Sequence, residues 1–277
     1  MKEQKKITSD KIREIIASNN LMTDWYMSIF FEDDIECTQV VIRTILDKPD
    51  LIVESVSTQV LLANVGNREV RLDVYAIDST GKRFNIEIQK RDEGADFKRA
   101  VYHLSMINTH SLEKRQDFKD LPEVYVIFIT ENDVRGKGKP IYKYELADVE
   151  TGESIDCGQH IIYVNGANKD TSTALGRLIH DFFCTEAKDM YNEELANKTK
   201  YLKETEEGAS RMGGSIAELL EMGRIEGREE GREEGREEGI IENALAMLKD
   251  NLPIEKIKQY TNLSIEKIEE LKKSLNL

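Results

Sequence analysis

Two alternating runs constrain this chain most: VRLDVYAID (70–78) and RFNIEIQ (83–89), joined through Asp78-Ser79-Thr80-Gly81-Lys82. Apolar residues recur at every second position in both, the period of a strand whose two faces differ. Gly81 stands where a hairpin connection needs a positive φ. Counting back from a five-residue loop sets Asp73 directly opposite Glu87. Leu72, Val74 and Ala76 then share one face, with Arg71, Asp73 and Tyr75 on the other. On the second strand Phe84, Ile86 and Ile88 oppose Asn85, Glu87 and Gln89. The two carboxylates would stand about 5 Å apart at their Cβ atoms, a like-charge pairing that destabilises a hairpin. A hard divalent cation such as Mg²⁺ removes that repulsion. The plain alternative is a solvated sheet face. The apolar faces behind the pair weigh against it, as do Lys90, Arg91, Lys98 and Arg99 just downstream, a cluster able to meet a phosphate backbone.

The remaining pattern places this hairpin in an α/β domain. Residues 1 to about 48 carry apolar positions at helical spacing, including Trp25, Ile29, Phe30, Val40, Val41 and Ile45. The branched run LIVESVSTQVLLANV, ending at a Gly66-Asn67 turn, reads as a further strand. Helical spacing returns over 93–115. Two apolar strands follow, VYVIFIT (124–130) and HIIYVNG (160–166), separated by a polar excursion containing GKGKP, and a helix over about 171–190 closes the body. Strands alternating with helices imply a mixed β-sheet flanked by helices. Beyond it, GRIEGREEGREEGREEG (223–239) repeats every four residues. Each glycine costs about 0.8–1.0 kcal/mol of helix stability against a few tenths per i,i+3 ion pair, so the segment reads as a charged linker. Residues 240–277 read as a small helical, helix-turn-helix-like module, with Pro253 opening one helix and Ser264 capping another.

Composition narrows the class. Lys plus Arg number 39 against 53 Asp plus Glu, a net charge of −14 over 277 residues. That argues against indiscriminate coating of nucleic acid or anionic membrane while leaving room for a local basic groove. Three separated cysteines without C-x-x-C disfavour a disulfide framework or a structural zinc site. The charged N-terminus lacks an apolar signal segment and no run is long enough to span a bilayer, so a cytoplasmic protein is expected. Gly136-Lys137-Gly138-Lys139 is followed by proline and lacks the frame of a phosphate loop. The four histidines (103, 110, 160 and 180) show no mutual metal-ligand spacing and read as surface or packing residues.

Asp73, a turn, then Glu87-Ile88-Gln89 resembles the PD-(D/E)XK nuclease signature, with glutamine for the usual lysine and Leu72 where the name puts proline. The chain looks like the PD-(D/E)XK nuclease-family transposases, the Rpn-type recombination-promoting nucleases. MTDWYMSIFFED resembles their opening helix, RLDVYAIDSTGKRFNIEIQ their core, FKRAVYHLSM the Arg/Tyr-bearing helix and the GREEG repeats their tail. The resemblance implies a restriction-endonuclease-like domain over 1–190, a charged helical linker with GREE repeats over 191–239 and the helical module over 240–277. It implies a Mg²⁺-dependent DNA endonuclease, Mn²⁺ being the alternative ion, associated with recombination or mobile DNA. Asp73, Glu87 and the Ile88 carbonyl would hold the metal, and Gln89 would take the lysine's place. Asp24 or Glu36 would supply an additional acidic residue, a helix N-cap being the rival role for Asp24. Lys90, Arg91, Lys98, Arg99 and Tyr102 would meet DNA, with core packing the rival role for Tyr102. The alternative is a catalytically inactive DNA-binding or scaffold protein of the same fold. DNA is the expected partner, and the tail is a candidate for homo-oligomer assembly.

Overall fold

The computed structural model describes residues 9–63, 68–90 and 92–214, and in the tail 239, 241, 243–248, 250, 252–261 and 263–274. The Gly66-Asn67 turn, Arg91 and the GREE repeats up to 238 lie outside these residues. The chain divides into two units, Met1–Ile216 and Ala217–Leu277.

In the first unit, helices α1 (Ser9–Ser18), α2 (Asp24–Phe31) and α3 (Ile35–Leu46) precede strands β1 (Val53–Leu62), β2 (Val70–Asp78) and β3 (Arg83–Gln89). Helix α4 (Phe97–Thr109), strands β4 (Val124–Thr130), β5 (Ile141–Tyr144) and β6 (Gln159–Asn165), and helices α5 (Ala174–Phe183) and α6 (Glu193–Glu204) complete it. The six strands form one mixed sheet in the order β1-β2-β3-β4-β6-β5, antiparallel from β1 to β3 and parallel through β3, β4 and β6. This is the mixed sheet flanked by helices that the alternation of strands and helices implied, and the restriction-endonuclease-like α/β arrangement that the resemblance implied.

The sheet is buried on both faces. The β4 run VYVIFIT splits between them: Tyr125, Ile127 and Ile129 join the apolar cluster shared with α1–α3, α5 and α6, while Val124, Val126 and Phe128 join the cluster under α4. A parallel strand covered on both sides reads as an unbroken apolar run for this reason. β5 sits inside the polar excursion at the sheet edge and went unread as a strand. The glycines of GKGKP adopt positive φ (67° at Gly136, 68° at Gly138), and their amides donate to the Asp133 carboxylate. An internal carboxylate therefore fills the turn that a phosphate loop would leave for a ligand.

The first unit extends past the expected boundary at 190. Leu195, Leu202 and Met212 are fully buried in its main cluster, and the Asp181 carboxylate ties α5 to the start of α6 by accepting from the Tyr191 and Asn192 amides, both at 2.8 Å. In the second unit, helices Ile254–Thr261 and Ile265–Ser274 share a small core of Ala244, Leu248, Ile257 and Ile268. Ser264 caps the latter helix through the Lys267 amide at 3.2 Å, as its position implied. Among the described residues no helix is long and apolar enough to cross a membrane.

Candidate metal and nucleic-acid site

The β2–β3 register follows the loop count. Val74 pairs with Ile86 and Ala76 with Phe84, and Gly81 carries φ of 83°. One residue further, Asp73 meets Glu87, where side chains replace the ladder. The Asp73 amide donates to Glu87 Oε1 at 3.2 Å and the Ile88 amide donates to Asp73 Oδ2 at 3.1 Å. Amide and carbonyl of one strand residue leave on the same edge, so the Ile88 carbonyl also faces this opening.

The ladder opens here because β1 and β2 change face while Phe84, Ile86 and Ile88 of β3 all stay in the main cluster. Gln59, between the Thr58–Val74 and Val60–Leu72 pairs, has φ of 52°, a left-handed conformation in the middle of β1. Below it, Val53, Val56, Val74 and Ala76 pack in the main cluster. Above it, Val60, Leu62, Val70 and Leu72 pack in the cluster under α4. Leu72 therefore does not share a face with Val74 and Ala76, which corrects the simple alternation. An irregularity of this kind re-aims a side chain, and the residue at the switch is Asp73.

Glu87 is fully buried and held from α4: its Oε2 accepts from Arg99 Nη2 at 3.1 Å. Asp73 is pushed well above the ordinary carboxylate range, to about 8, first by burial and then by the charge of Glu87, with Asp24 adding to it. The Ile88 amide and Arg99 act in the opposite direction. Asp24, the first residue of α2, keeps solvent access, yet its carboxyl is also raised, by desolvation first and Glu87 second. The N-cap of α2 is Thr23, so the capping role for Asp24 does not hold. Glu36 lies exposed in the first turn of α3 and is not among the charges acting on Asp73.

Arg68, Arg71, Lys98, Arg99 and Tyr102 line a cleft of about 770 Å³ beside these carboxylates. Arg68, Arg71 and Lys98 are exposed, whereas Arg99 is committed to Glu87 and to the Gly94 carbonyl. Tyr102, half-buried, donates its hydroxyl to the Arg68 carbonyl at 2.6 Å and so braces the cleft wall. Lys90 is exposed just beyond the end of β3. The Gln89 amide lies against Gly94, where an added Cβ would come within 2.0 Å of its Oε1.

The donor set is all oxygen: two carboxylates that repel each other, a strand-edge carbonyl and a third carboxylate within electrostatic reach. That chemistry fits a hard divalent cation. Sequence reasoning missed Asn85 and His103. Both are buried, at 0% and 3% exposure, and His103 Nδ1 lies 3.4 Å from Glu87 Oε1. One signal was available, since Arg99 and His103 stand four apart on one helix and share a face.

No curated protein and no solved structure matches the chain. The family model described as PD-(D/E)XK nuclease family transposase matches residues 32–237, a span that holds Asp73, Glu87, Gln89 and Arg99 and begins after Asp24. With most of its length covered by this model, the chain belongs to the PD-(D/E)XK nuclease family transposases.

Proposed function

We propose that this protein is a divalent-metal-dependent endonuclease that hydrolyses DNA phosphodiester bonds, in the service of recombination or mobile DNA. The observation that carries the reading is the meeting of Asp73 and Glu87 beside a cleft whose wall includes Arg99, bound to Glu87, and whose exposed cations are Arg68, Arg71 and Lys98. Asp73, Glu87 and the Ile88 carbonyl would hold Mg²⁺, with Mn²⁺ able to substitute, and Asp24 is a further carboxylate whose charge acts on Asp73. The ion would lower the pKa of a water and stabilise charge developing on phosphorus oxygens. Arg71 and Lys98 would draw the phosphate backbone into the cleft. Lys90 and Arg68 would extend that contact, and Tyr102 would keep the Arg68 backbone in place. Gln89 can orient a water through its amide but can neither neutralise charge nor carry a proton as lysine does.

A second reading has a specific observation behind it. Gln89 stands in the lysine's place with its amide laid on Gly94, which suits a DNA-binding scaffold that no longer turns over. Incubating the chain with supercoiled plasmid and Mg²⁺, beside Asp73→Ala and a metal-free control, separates the two. Nicking lost in both controls supports the nuclease. Equal nicking by Asp73→Ala overturns this site, and DNA binding without cleavage by any form leaves the scaffold.

A further inference from the structure

Helix α4 sets two side chains against the Glu87 carboxylate, and only one of them belongs to the basic set already assigned. Arg99 Nη2 reaches Oε2 at 3.1 Å, while His103 Nδ1 stands 3.4 Å from Oε1. The two α4 residues also touch each other, with Arg99 Nε donating to His103 Nε2 at 3.3 Å. An arginine has no acceptor, so Nε2 must accept and the ring proton sits on Nδ1. That proton faces Asn85, whose amide lies 3.1 Å away. The Asn85 Oδ1 atom is buried without a partner as placed. Turning the amide over brings Oδ1 to the Nδ1 proton, the consistent assignment for this pair. On its other side the ring packs against Phe128 at 6.1 Å between centroids. A histidine kept for bulk alone would not have both nitrogens engaged in a 3%-exposed site.

We infer that His103 is a positioning residue: with its Nδ1 proton on Asn85 Oδ1, its Nε2 accepts from Arg99 Nε and so holds the guanidinium that fixes Glu87 Oε2, presenting Glu87 in one orientation to a divalent cation. The inference rests on the nuclease reading above. Groups that orient a metal-binding side chain commonly contribute 10- to 100-fold in metal affinity.

The test is Mn²⁺ binding by the full chain without DNA, followed by electron paramagnetic resonance, with circular dichroism as the check on folding. The variants are Asp73→Ala, His103→Phe, His103→Asn and His103→Gln. The Asn amide nitrogen falls near the position of Nδ1, whereas the Gln amide falls nearer Nε2. His103→Phe should weaken Mn²⁺ binding by about tenfold or more. His103→Gln, whose amide oxygen can accept from Arg99 Nε, should recover most of that loss and His103→Asn should not. Unchanged affinity in His103→Phe overturns the proposal, and so does equal recovery by Asn and Gln, which would mark a general packing role. Should the Phe variant fail to fold, the Asn–Gln contrast alone decides. If the parent binds Mn²⁺ no better than Asp73→Ala, the nuclease reading itself fails and takes this one with it, an outcome visible before any His103 variant is compared.

Discussion

The β2–β3 hairpin carries carboxylates at both ends, and the two ends treat them in opposite ways. At the turn, the Asp78 carboxylate accepts from the Thr80 amide at 2.9 Å, the Thr80 hydroxyl at 2.7 Å and the Lys82 amide at 2.9 Å. Beside it, Glu123 is paired with Lys82, Tyr125 and His160, and these partners hold its carboxyl below the ordinary range despite some burial. At the open end, Asp73 has one backbone donor and a second carboxylate for a neighbour, and its pKa rises. Saturated acids close a turn and stabilise it. Acids crowded against one another at a strand edge are held at a cost that a bound cation would offset.

Four changes would break or sharpen that contrast. The largest concerns activity: Glu87→Gln keeps the side-chain shape but removes the charge, and plasmid nicking should fall on the order of 10³-fold. Glu123→Gln should leave it within about twofold. A matching loss at both positions would show that the two ends do not differ in role. Next is stability. Asp78→Ala removes three hydrogen bonds, at about 0.5–1.5 kcal/mol each, so urea unfolding should show a loss of about 2–4 kcal/mol while Mn²⁺ affinity holds. A fall in affinity of similar size would contradict the separation.

Third is the pH response in divalent-free buffer. Because the Asp73 value is raised from 3.8 to about 8, the native state binds that proton more tightly than the unfolded chain. Stability contributed by this group is thus fully present at low pH and is lost as pH rises through about 8. The melting temperature of Asp73→Asn should lack this decline, exceeding the parent by a few degrees at pH 8. Glu123 works the other way. Its lowered value contributes stability above the ordinary carboxylate pKa of 4.5 that disappears as pH falls through the lowered one. A parent melting curve that does not fall between pH 5 and 8, measured against Asp73→Asn, would sink the account of Asp73.

The smallest effect is expected at Gly94→Ala. The added Cβ meets the far end of a flexible Gln89 side chain, so stability should change by less than about 1 kcal/mol. Nicking should fall several-fold as the amide is displaced, if Gln89 orients a water. No change in rate would remove Gln89 from the site.

Much of this molecule was readable along the chain because the relevant signals are local. The period-two runs, the five-residue loop and Gly81 were sufficient to bring Asp73 and Glu87 together across fourteen residues. Ser264 and Pro253 marked the tail helices by the same local logic. What escaped reading depends on partners distant in sequence. Gln59 has nothing in its neighbourhood to announce a left-handed turn, yet that turn moves Leu72 to the α4 face and leaves Asp73 at the switch. β5 is too short to show a period, and becomes a strand because β6 offers an edge. The core reaches past 190 because α6 packs against the first helices. His103 looked like an ordinary helix residue until α4 was laid over the sheet with Glu87 beneath it. Backbone geometry repeats every two or 3.6 residues and writes itself into composition, whereas the docking of a helix on a sheet leaves no such period. The carboxylate pair could be located from the first kind of information, and its surroundings only from the second.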